Sequence, residues 1–319
     1  MNIRQQNSAL GALVADAAAL GLHWMYDLER LQKVIAETSG NSPAFINPNP
    51  DHYAGKVGYF AHAGKQAGDQ SHYGETYLLN LGHLHTSGEF QMRKFQQSFI
   101  ATFGPGGSFS GYIDKPTGIT LKNLQSIDFD NAENKSTEAS GADDDQIPAL
   151  TPVAALYAYC SEDSVSDSIL ESAIRVTNNN DLAVSCGIYF SRVLMPVLAG
   201  ASISDAYNQA SNFMPQAIKE KLELALNMDA SELDSVAGIF GQSCGLQNTM
   251  PLVTYILKHS SSFKQATEMN ILAGGDSCGR AMMLGAIAGA HFGVGTETGI
   301  PYQWLLRLKQ HQDLAALLD

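Results

Sequence analysis

Apolar positions along this chain recur with the three-to-four-residue spacing of helices, and nowhere alternate strictly enough to read as a strand. The pattern predicts helices over 7–22, 28–35, about 75–85, 92–103, 117–124, 147–159, 165–176, 181–198, 203–226, 252–257 and 263–272, with a last buried run over 271–293. In that last run Ala281, Gly285, Gly289 and Gly293 fall on one helical face, and Gly11, Ala15 and Ala19 repeat the device in the first helix. Small residues on facing stripes let two backbones approach closely, so the first and last long helices are expected to pack together. The fold class expected is all-α: a single large multi-helix domain over 1–319, since no composition shift or repeat divides the chain.

Two stretches break the helical pattern and invite chemistry. The connection 39–70, rich in proline, glycine, asparagine and aromatics, has the length of a functional loop. It leads to Gln70-Ser71-His72-Tyr73-Gly74-Glu75-Thr76, which places Glu75 and Thr76 at a helix start. Phe103 to Tyr112 is glycine-rich, and the amides of Gly106 and Gly107 are candidates to contact a phosphate, although the lysine of a nucleotide P-loop is missing. The polar stretch 126–141 is expected to be exposed, and Asp143, Asp144 and Asp145 follow it. Three consecutive acids ordinarily form a solvated turn; against an apolar helix, one of them, Asp144, is a candidate to face a cleft.

Composition narrows the classes. Hydrophobic residues make up 45% and charged ones 16% of 319 residues, enough for an extensive core. With 19 basic against 32 acidic residues the formal charge is -13, which argues against nucleic acid or an anionic membrane as partner. The four cysteines are scattered without a CxxC, as expected of reduced thiols. No secretory leader and no purely apolar span of about 18 residues stand out, so a soluble, cytoplasmic protein is expected.

The sharpest candidate for chemistry is Asp276, behind Gly274-Gly275 and at the mouth of the buried helix. It reads either as an ordinary N-cap or as an acid delivered to a site. Glu75 reads either as a first-turn acid favoured by the helix dipole or as an oxygen ligand. Asp16, alone among alanines, reads as satisfied by backbone donors or solvated.

Taken in order, Gly11 to Trp24 with Asp16, then Gly274-Gly275-Asp276-Ser277-Cys278-Gly279-Arg280-Ala281, then Gly285, Gly289, Ile300-Pro301 and Trp304, resemble the ADP-ribosylglycohydrolase family over nearly the whole chain. The stretches Tyr73-Gly74-Glu75 and Gly111 to Asp114 are similar to a side branch containing the J-crystallins. The resemblance implies an all-α fold around a cleft that holds two magnesium or manganese ions in active members, binding ADP-ribose and cleaving its bond to a modified side chain. Hard cations take oxygen ligands, and paired ions can orient ribose hydroxyls and a water.

Carried over by position, the centre is altered. The family's N-terminal acid falls on His23. Its Thr-Asp-Asp-Thr segment falls on Tyr73 to Thr76. Its second C-terminal aspartate becomes Cys278, and its ligand-contacting histidine becomes Asn178, after Thr177. Glu75 and Asp276 are then the catalytic carboxylates, with Glu75, Thr76, Asp276 and Cys278 as ligands of one magnesium or manganese ion at most. His23, Gly106, Gly107, Asp144, Asn178 and Arg280 are the substrate-binding candidates. Arg280, four residues after Asp276, is expected to pair with it, to bind a ligand phosphate, or to form a surface ion pair. Three functions follow from the resemblance. The favoured one is a ribosyl hydrolase with a rebuilt centre, acting on an ADP-ribose-type ligand or an ADP-ribosylated protein. The alternatives are a non-catalytic ADP-ribose or nucleotide binder and a crystallin-like structural protein.

Overall fold

Among the residues that the structure, a computed structural model, describes (1–38, 42–129, 139–161 and 164–309), the regular elements are helices, and extended pairing is confined to isolated bridges. In chain order they are α1 (Ile3–Ala19), α2 (Leu28–Thr38), α3 (His72–Ser87), α4 (Met92–Phe103), α5 (Lys115–Leu124), α6 (Thr151–Tyr159), α7 (Asp167–Ile174) and α8 (Asp181–Leu198). Then follow α9 (Ile203–Ala210), α10 (Lys219–Asn227), α11 (Leu233–Phe240), α12 (Leu246–His259), α13 (Phe263–Leu272), α14 (Ser277–Phe292) and α15 (Tyr302–Leu305).

The expected pairing of the two small-residue stripes holds. A Cβ added to Gly11 would lie 2.1 Å from the carbonyl oxygen of Gly285, one on Gly285 would lie 2.3 Å from that of Gly11, and one on Gly289 would lie 2.3 Å from that of Asn7. The backbones therefore touch, as only glycine permits. Cys278 extends the contact by donating its thiol hydrogen to the Asp16 carbonyl at 3.6 Å. The matched positions 7 with 289, 11 with 285 and 16 with 278 run in opposite directions, so α1 and α14 are antiparallel. The C-terminal end of α1 thus arrives at the N-terminal end of α14. Every residue of α14 from Ser277 to Ala290 is buried, which makes it the axis of the molecule.

One continuous apolar core surrounds this pair and takes in residues from the named helices other than α4 and α5. α8 is long and apolar enough to cross a membrane, but it packs in this core against α6, α7, α9 and α14. A satellite cluster of Phe95, Phe99, Phe103, Leu121 and Leu124 joins α4 to α5.

The structure departs from the periodicity in four places. The run 203–226 is broken into α9 and α10 by Pro215, which lacks an amide and holds the preceding residue out of helix. The helix α12 begins at Leu246, so Pro251 lies inside it rather than near its start. The carbonyl of Gln247, which a Pro251 amide would have met, accepts from Lys221 Nζ at 3.2 Å. The helix α11 was not expected, because its sequence LDSVAGIF is short and follows a polar run. Of the stretch 126–141, positions 130–138 lie outside the described residues, while Ser140 and Gly141 are buried rather than exposed. Ser140 Oγ donates to the Val176 carbonyl and the Gly141 amide to that of Arg175, which ties this end of the stretch to the chain after α7.

The backbone contact yields a direct test. Gly285→Val should lower the unfolding free energy in urea by roughly 3 kcal/mol or more, because an overpacked position faces backbone that has nowhere to move. Gly82→Ala, in α3 with nothing near the added carbon, should be neutral or stabilising by about 0.5–1 kcal/mol. Equal effects from the two would show that the helices do not meet as described.

Candidate functional site

The mouth of α14 is shaped by backbone first. Gly274 and Gly275 have φ of 69° and 63°, two successive left-handed residues, and a Cβ on Gly275 would strike the Gln242 carbonyl at 2.1 Å. The Gly275 amide donates to Met25 O at 2.7 Å, and the Trp24 amide donates to Gly275 O at the same distance. Trp24 itself has φ 63°, a costly conformation for a bulky residue. It is held there because its amide and its carbonyl, which accepts from Tyr59 N at 3.0 Å, are both fixed. The Asp276 amide donates to Gln242 O at 3.0 Å. Three distant segments therefore clamp the turn that aims Asp276.

Asp276 caps α14, as expected, accepting from the Gly279 amide at 3.0 Å. Its carboxylate also meets His23 Nε2 at 2.8 Å and accepts from the Tyr73 hydroxyl at 3.2 Å. The second nitrogen of His23, Nδ1, lies 2.7 Å from His62 Nε2. A carboxylate only accepts, so His23 Nε2 carries the hydrogen. Burial depresses the His23 pKa despite Asp276, and depresses that of His62 well below the usual histidine value, with His23 and His72 adding to it. Both rings are then neutral, His23 Nδ1 accepts, and His62 Nε2 donates. The result is a directed chain from His62 through His23 to Asp276, with Tyr73 closing the other carboxylate oxygen. Burial and Asp276 together push the Tyr73 hydroxyl well above the usual phenol pKa, so it stays a donor.

Beside this chain lies a group of buried polar atoms that the protein does not pair. Trp24 Nε1 and both nitrogens of His72 have no hydrogen-bond partner, nor do Asp114 Oδ2 and Asn178 Oδ1. His72 Nε2 and Asp114 Oδ2 are 3.3 Å apart, an ion-pair distance without hydrogen-bond alignment. Burial alone would raise the Asp114 pKa, but the charge of His72 and the hydrogen bonds from Thr117 outweigh it and hold the carboxyl low. Tyr112 packs edge-on against Trp24 at 5.2 Å, and the half-exposed Tyr59 closes the cluster. Cys244, its thiol pushed up to about 12 by burial and by Asp276, also feels Asp114 and Asp144. One region therefore gathers Asp276, Asp114, Asp144, His72 and the aromatic rings. A cavity of about 790 Å³ lined by Tyr207, Lys219, Lys258 and His291 lies instead at the far end of α14. The unpaired groups and the loop clamp point to the Asp276 end, and size alone does not outweigh them.

The structure redistributes the expected site residues. His23 and Asp276 are in direct contact, and Asn178, whose Nδ2 donates to Asp144 O at 3.0 Å, joins Asp144 at the edge of the region. Glu75 is not brought to Asp276. It lies two residues beyond Tyr73, on the opposite side of α3, and its carboxylate pairs with Lys65 at 3.5 Å. Thr76 Oγ1 donates to its own helix at His72 O. Arg280 neither pairs with Asp276 nor sits on the surface: it is fully buried, with Nε on Asn270 Oδ1 and Nη2 on the carbonyls of Asn270 and Gly274. Burial lowers its pKa to about 10. It braces the glycine turn from below. Gly106 and Gly107 form the turn that ends α4: the Gly107 amide donates to Gly104 O, and the next two amides return to Ala101 and Thr102. The Gly107 amide is spent, and a helix C-terminus repels anions. Asp143 is exposed and accepts from Asn180.

Asp16 is satisfied by a distant residue, the Ser71 amide at 2.7 Å and hydroxyl at 2.6 Å, which fastens the start of α3 to α1. The residues that sequence reasoning did not nominate are Tyr73, Asp114, His72 and His62. His72, Tyr73 and Asp114 lay inside quoted motifs. His62 lay in the long loop with no local signal.

These donors do not suit an oxygen-ligated magnesium or manganese ion. Glu75 and Thr76 are engaged elsewhere, both Asp276 oxygens already accept hydrogen bonds, and Cys278 offers a thiol that burial keeps protonated. Among the described residues, the grouping of ligating side chains compact enough for an ion is His23, His62 and Cys278.

With this geometry in place, comparison with known proteins is informative. The model of the ADP-ribosylglycohydrolase family matches residues 4–319. Crystallin J1A of Tripedalia cystophora is 26% identical over 323 residues, spanning 98% of this chain and 94% of the crystallin. Crystallin J1B of the same organism is 25% identical over 314 residues, spanning 95% and 91%. A solved chain described as an ADP-ribosylglycohydrolase-related protein complex aligns with a TM-score of 0.68 at 16% identity, spanning 99% of this chain and 96% of that one, and shares the fold.

Two outcomes are expected from the buried network. Removing His23 (His23→Ala) leaves the Asp276 charge short of a partner and should cost about 3–5 kcal/mol, against about 1 kcal/mol for Tyr73→Phe, both read by urea unfolding. Asp16, raised by burial from 3.8 to about 6, is held protonated more tightly by the folded chain than by the unfolded one. Its contribution to stability is therefore full below the unfolded value and fades as pH rises through about 6. Between about pH 4 and pH 7 the parent should lose roughly 2–3 kcal/mol relative to Asp16→Asn. Parallel pH profiles for the two proteins would refute this.

Proposed function

The chain belongs to the ADP-ribosylglycohydrolase family, and on that basis we propose that it is a hydrolase of an ADP-ribosyl or related ribosyl glycosidic bond whose centre has been rebuilt at the mouth of α14. The observation that supports this most is the set of unpaired buried polar atoms, Trp24 Nε1, His72, Asp114 Oδ2 and Asn178 Oδ1, beside the Asp276 chain. Each unpaired buried group costs about 1–3 kcal/mol unless something meets it. Donors and acceptors of both kinds, next to exposed tyrosine rings, suit the hydroxyls and planar base of an ADP-ribose-type ligand.

In this reading Asp276 and His23 form a fixed acceptor–donor pair, with the carboxylate setting the tautomer of the ring. Asp114 and Asn178 accept from ribose hydroxyls. Glu75 has no part. Tyr26, 40% exposed, and Tyr59, 53% exposed, border the entry.

A second reading is favoured by two specific facts. The curated relatives above are crystallins, and Asp276 has no exposed surface. A crystallin-like protein would keep the fold and the network as scaffolding.

The readings separate by experiment. ADP-ribose at about 100 times its Kd should stabilise the hydrolase or binder by about 2.7 kcal/mol, seen as a rise in Tm. An ADP-ribosylated peptide should release ADP-ribose, and Asp276→Asn should slow that release by about 100-fold or more while remaining folded by circular dichroism. Binding without release would leave a binding module. Neither binding nor release would leave the structural reading.

A further inference from the structure

The buried side chains at the junction of α1 and α14 carry a chemistry different from the one the family implies. His23 lies just beyond α1, Cys278 in the first turn of α14, and His62 on the loop before α3. Each offers one ligating atom, and the three atoms lie within 4.8 Å of one another. All three residues are buried. The two imidazoles already point nitrogen at nitrogen, 2.7 Å apart. Behind His23, on its other nitrogen, stands the Asp276 carboxylate at 2.8 Å. An imidazole with a carboxylate on its far N–H is the arrangement that orients histidine ligands and raises their basicity.

We propose that His23, His62 and Cys278 form a site for one borderline divalent d-block cation of the zinc class, with Asp276 as the supporting carboxylate rather than a ligand. Two imidazoles and a thiolate select such an ion over magnesium, which takes oxygen and dehydrates reluctantly. Tetrahedral zinc spaces its donors about 3.3–3.6 Å apart. The His23–His62 contact would open by about half an ångström and the sulfur would close in by about as much or more. His62 can make that adjustment because it sits on a loop, whereas α1 and α14 fix the other two. The step is an acid–base exchange without redox change. The Cys278 S–H ionises, its sulfur lone pair binds the cation, and one proton leaves to solvent. His62 changes tautomer through solvent, its hydrogen passing from Nε2 to Nδ1, so that the His62–His23 hydrogen bond is replaced by two metal–nitrogen bonds with no further net proton released. The fourth position takes a water or a ligand oxygen.

The test uses the full chain, stripped with a chelator and titrated with Co²⁺, then with Zn²⁺ in competition. One Co²⁺ per chain should bind, with a thiolate-to-cobalt charge-transfer band in the near ultraviolet, and Zn²⁺ should displace it with proton release. Cys278→Ser should abolish the band, and His62→Ala, on the loop, should weaken binding by at least about tenfold. If Cys278→Ser does not fold, protection of the Cys278 thiol from alkylation by Zn²⁺ in the parent protein replaces it. Absence of the band in the parent would overturn the assignment. So would a band that survives in Cys278→Ser and disappears in Cys244→Ser, or Mg²⁺ competing on equal terms with Zn²⁺. No substrate enters the measurement, so its result is independent of whether a ribosyl bond is cleaved.

Discussion

Two helices pressed backbone to backbone at Gly11, Gly285 and Gly289 are the constraint on which the rest of this structure depends. Because α1 and α14 run antiparallel in that contact, the C-terminal end of one meets the N-terminal end of the other. Their dipoles oppose favourably there. The close approach also brings together side chains that are about 260 residues apart. Asp16 meets Cys278 through its carbonyl, and the turn after α1 carries His23 onto Asp276. A register shift of one helical turn would separate all of them. The glycines are therefore as much part of the site as the groups that bear charge.

The polar network built on this contact is dense because its charged and polar groups are fully buried. Asp276 is met by a backbone amide, an imidazole and a phenol, and Asp16 by an amide and a hydroxyl. A buried charge is tolerated only when it is surrounded in this way. Arg280 illustrates the same rule with the opposite sign. Its guanidinium, buried without a carboxylate partner, spreads its charge over two carbonyls and the Asn270 amide oxygen. By doing so it holds down the carbonyl of Gly274 and keeps the left-handed glycine pair in place. Unpaired buried hydroxyls also occur in the apolar core, at Tyr77, Thr151 and Tyr189; the unpaired atoms around Trp24, His72 and Asp114 differ in being clustered donors and acceptors beside the Asp276 network.

Within its family the chain keeps the fold over nearly its whole length. That fold carries Asp276 to the capped mouth of α14 that its spacing led us to expect, with His23 on its carboxylate and Cys278 in the turn that follows. Glu75 kept the chemistry of a carboxylate but not its direction. On a helix, two residues amount to about 200°, so when Tyr73 turned inward Glu75 had to face Lys65. Likeness to crystallins over nearly the whole chain is compatible with either use of such a framework, since stability and solubility require the fold and not the turnover.

Sequence alone determined the helical class, the partnership of the first and last long helices, and the capping role of Asp276. Each follows from local spacing: small residues every fourth position, a glycine pair before an acid, and an apolar period near 3.6. It left Asp16 open between solvent and backbone donors, and only the approach of Ser71 from the start of α3 decided it. Tertiary structure decided what the motifs could not. Whether Arg280 faced a ligand or the underside of a loop depended on how deeply α14 is buried. Whether the Gly107 amide was available depended on the end of α4 claiming it first. His62 carried no signal at all, because a histidine in a long irregular loop acquires its partner only through the path of the chain. Spacing along one helix is a property of a few neighbouring residues, but contact between distant segments is set by the packing of the whole core, and the site is made of such contacts.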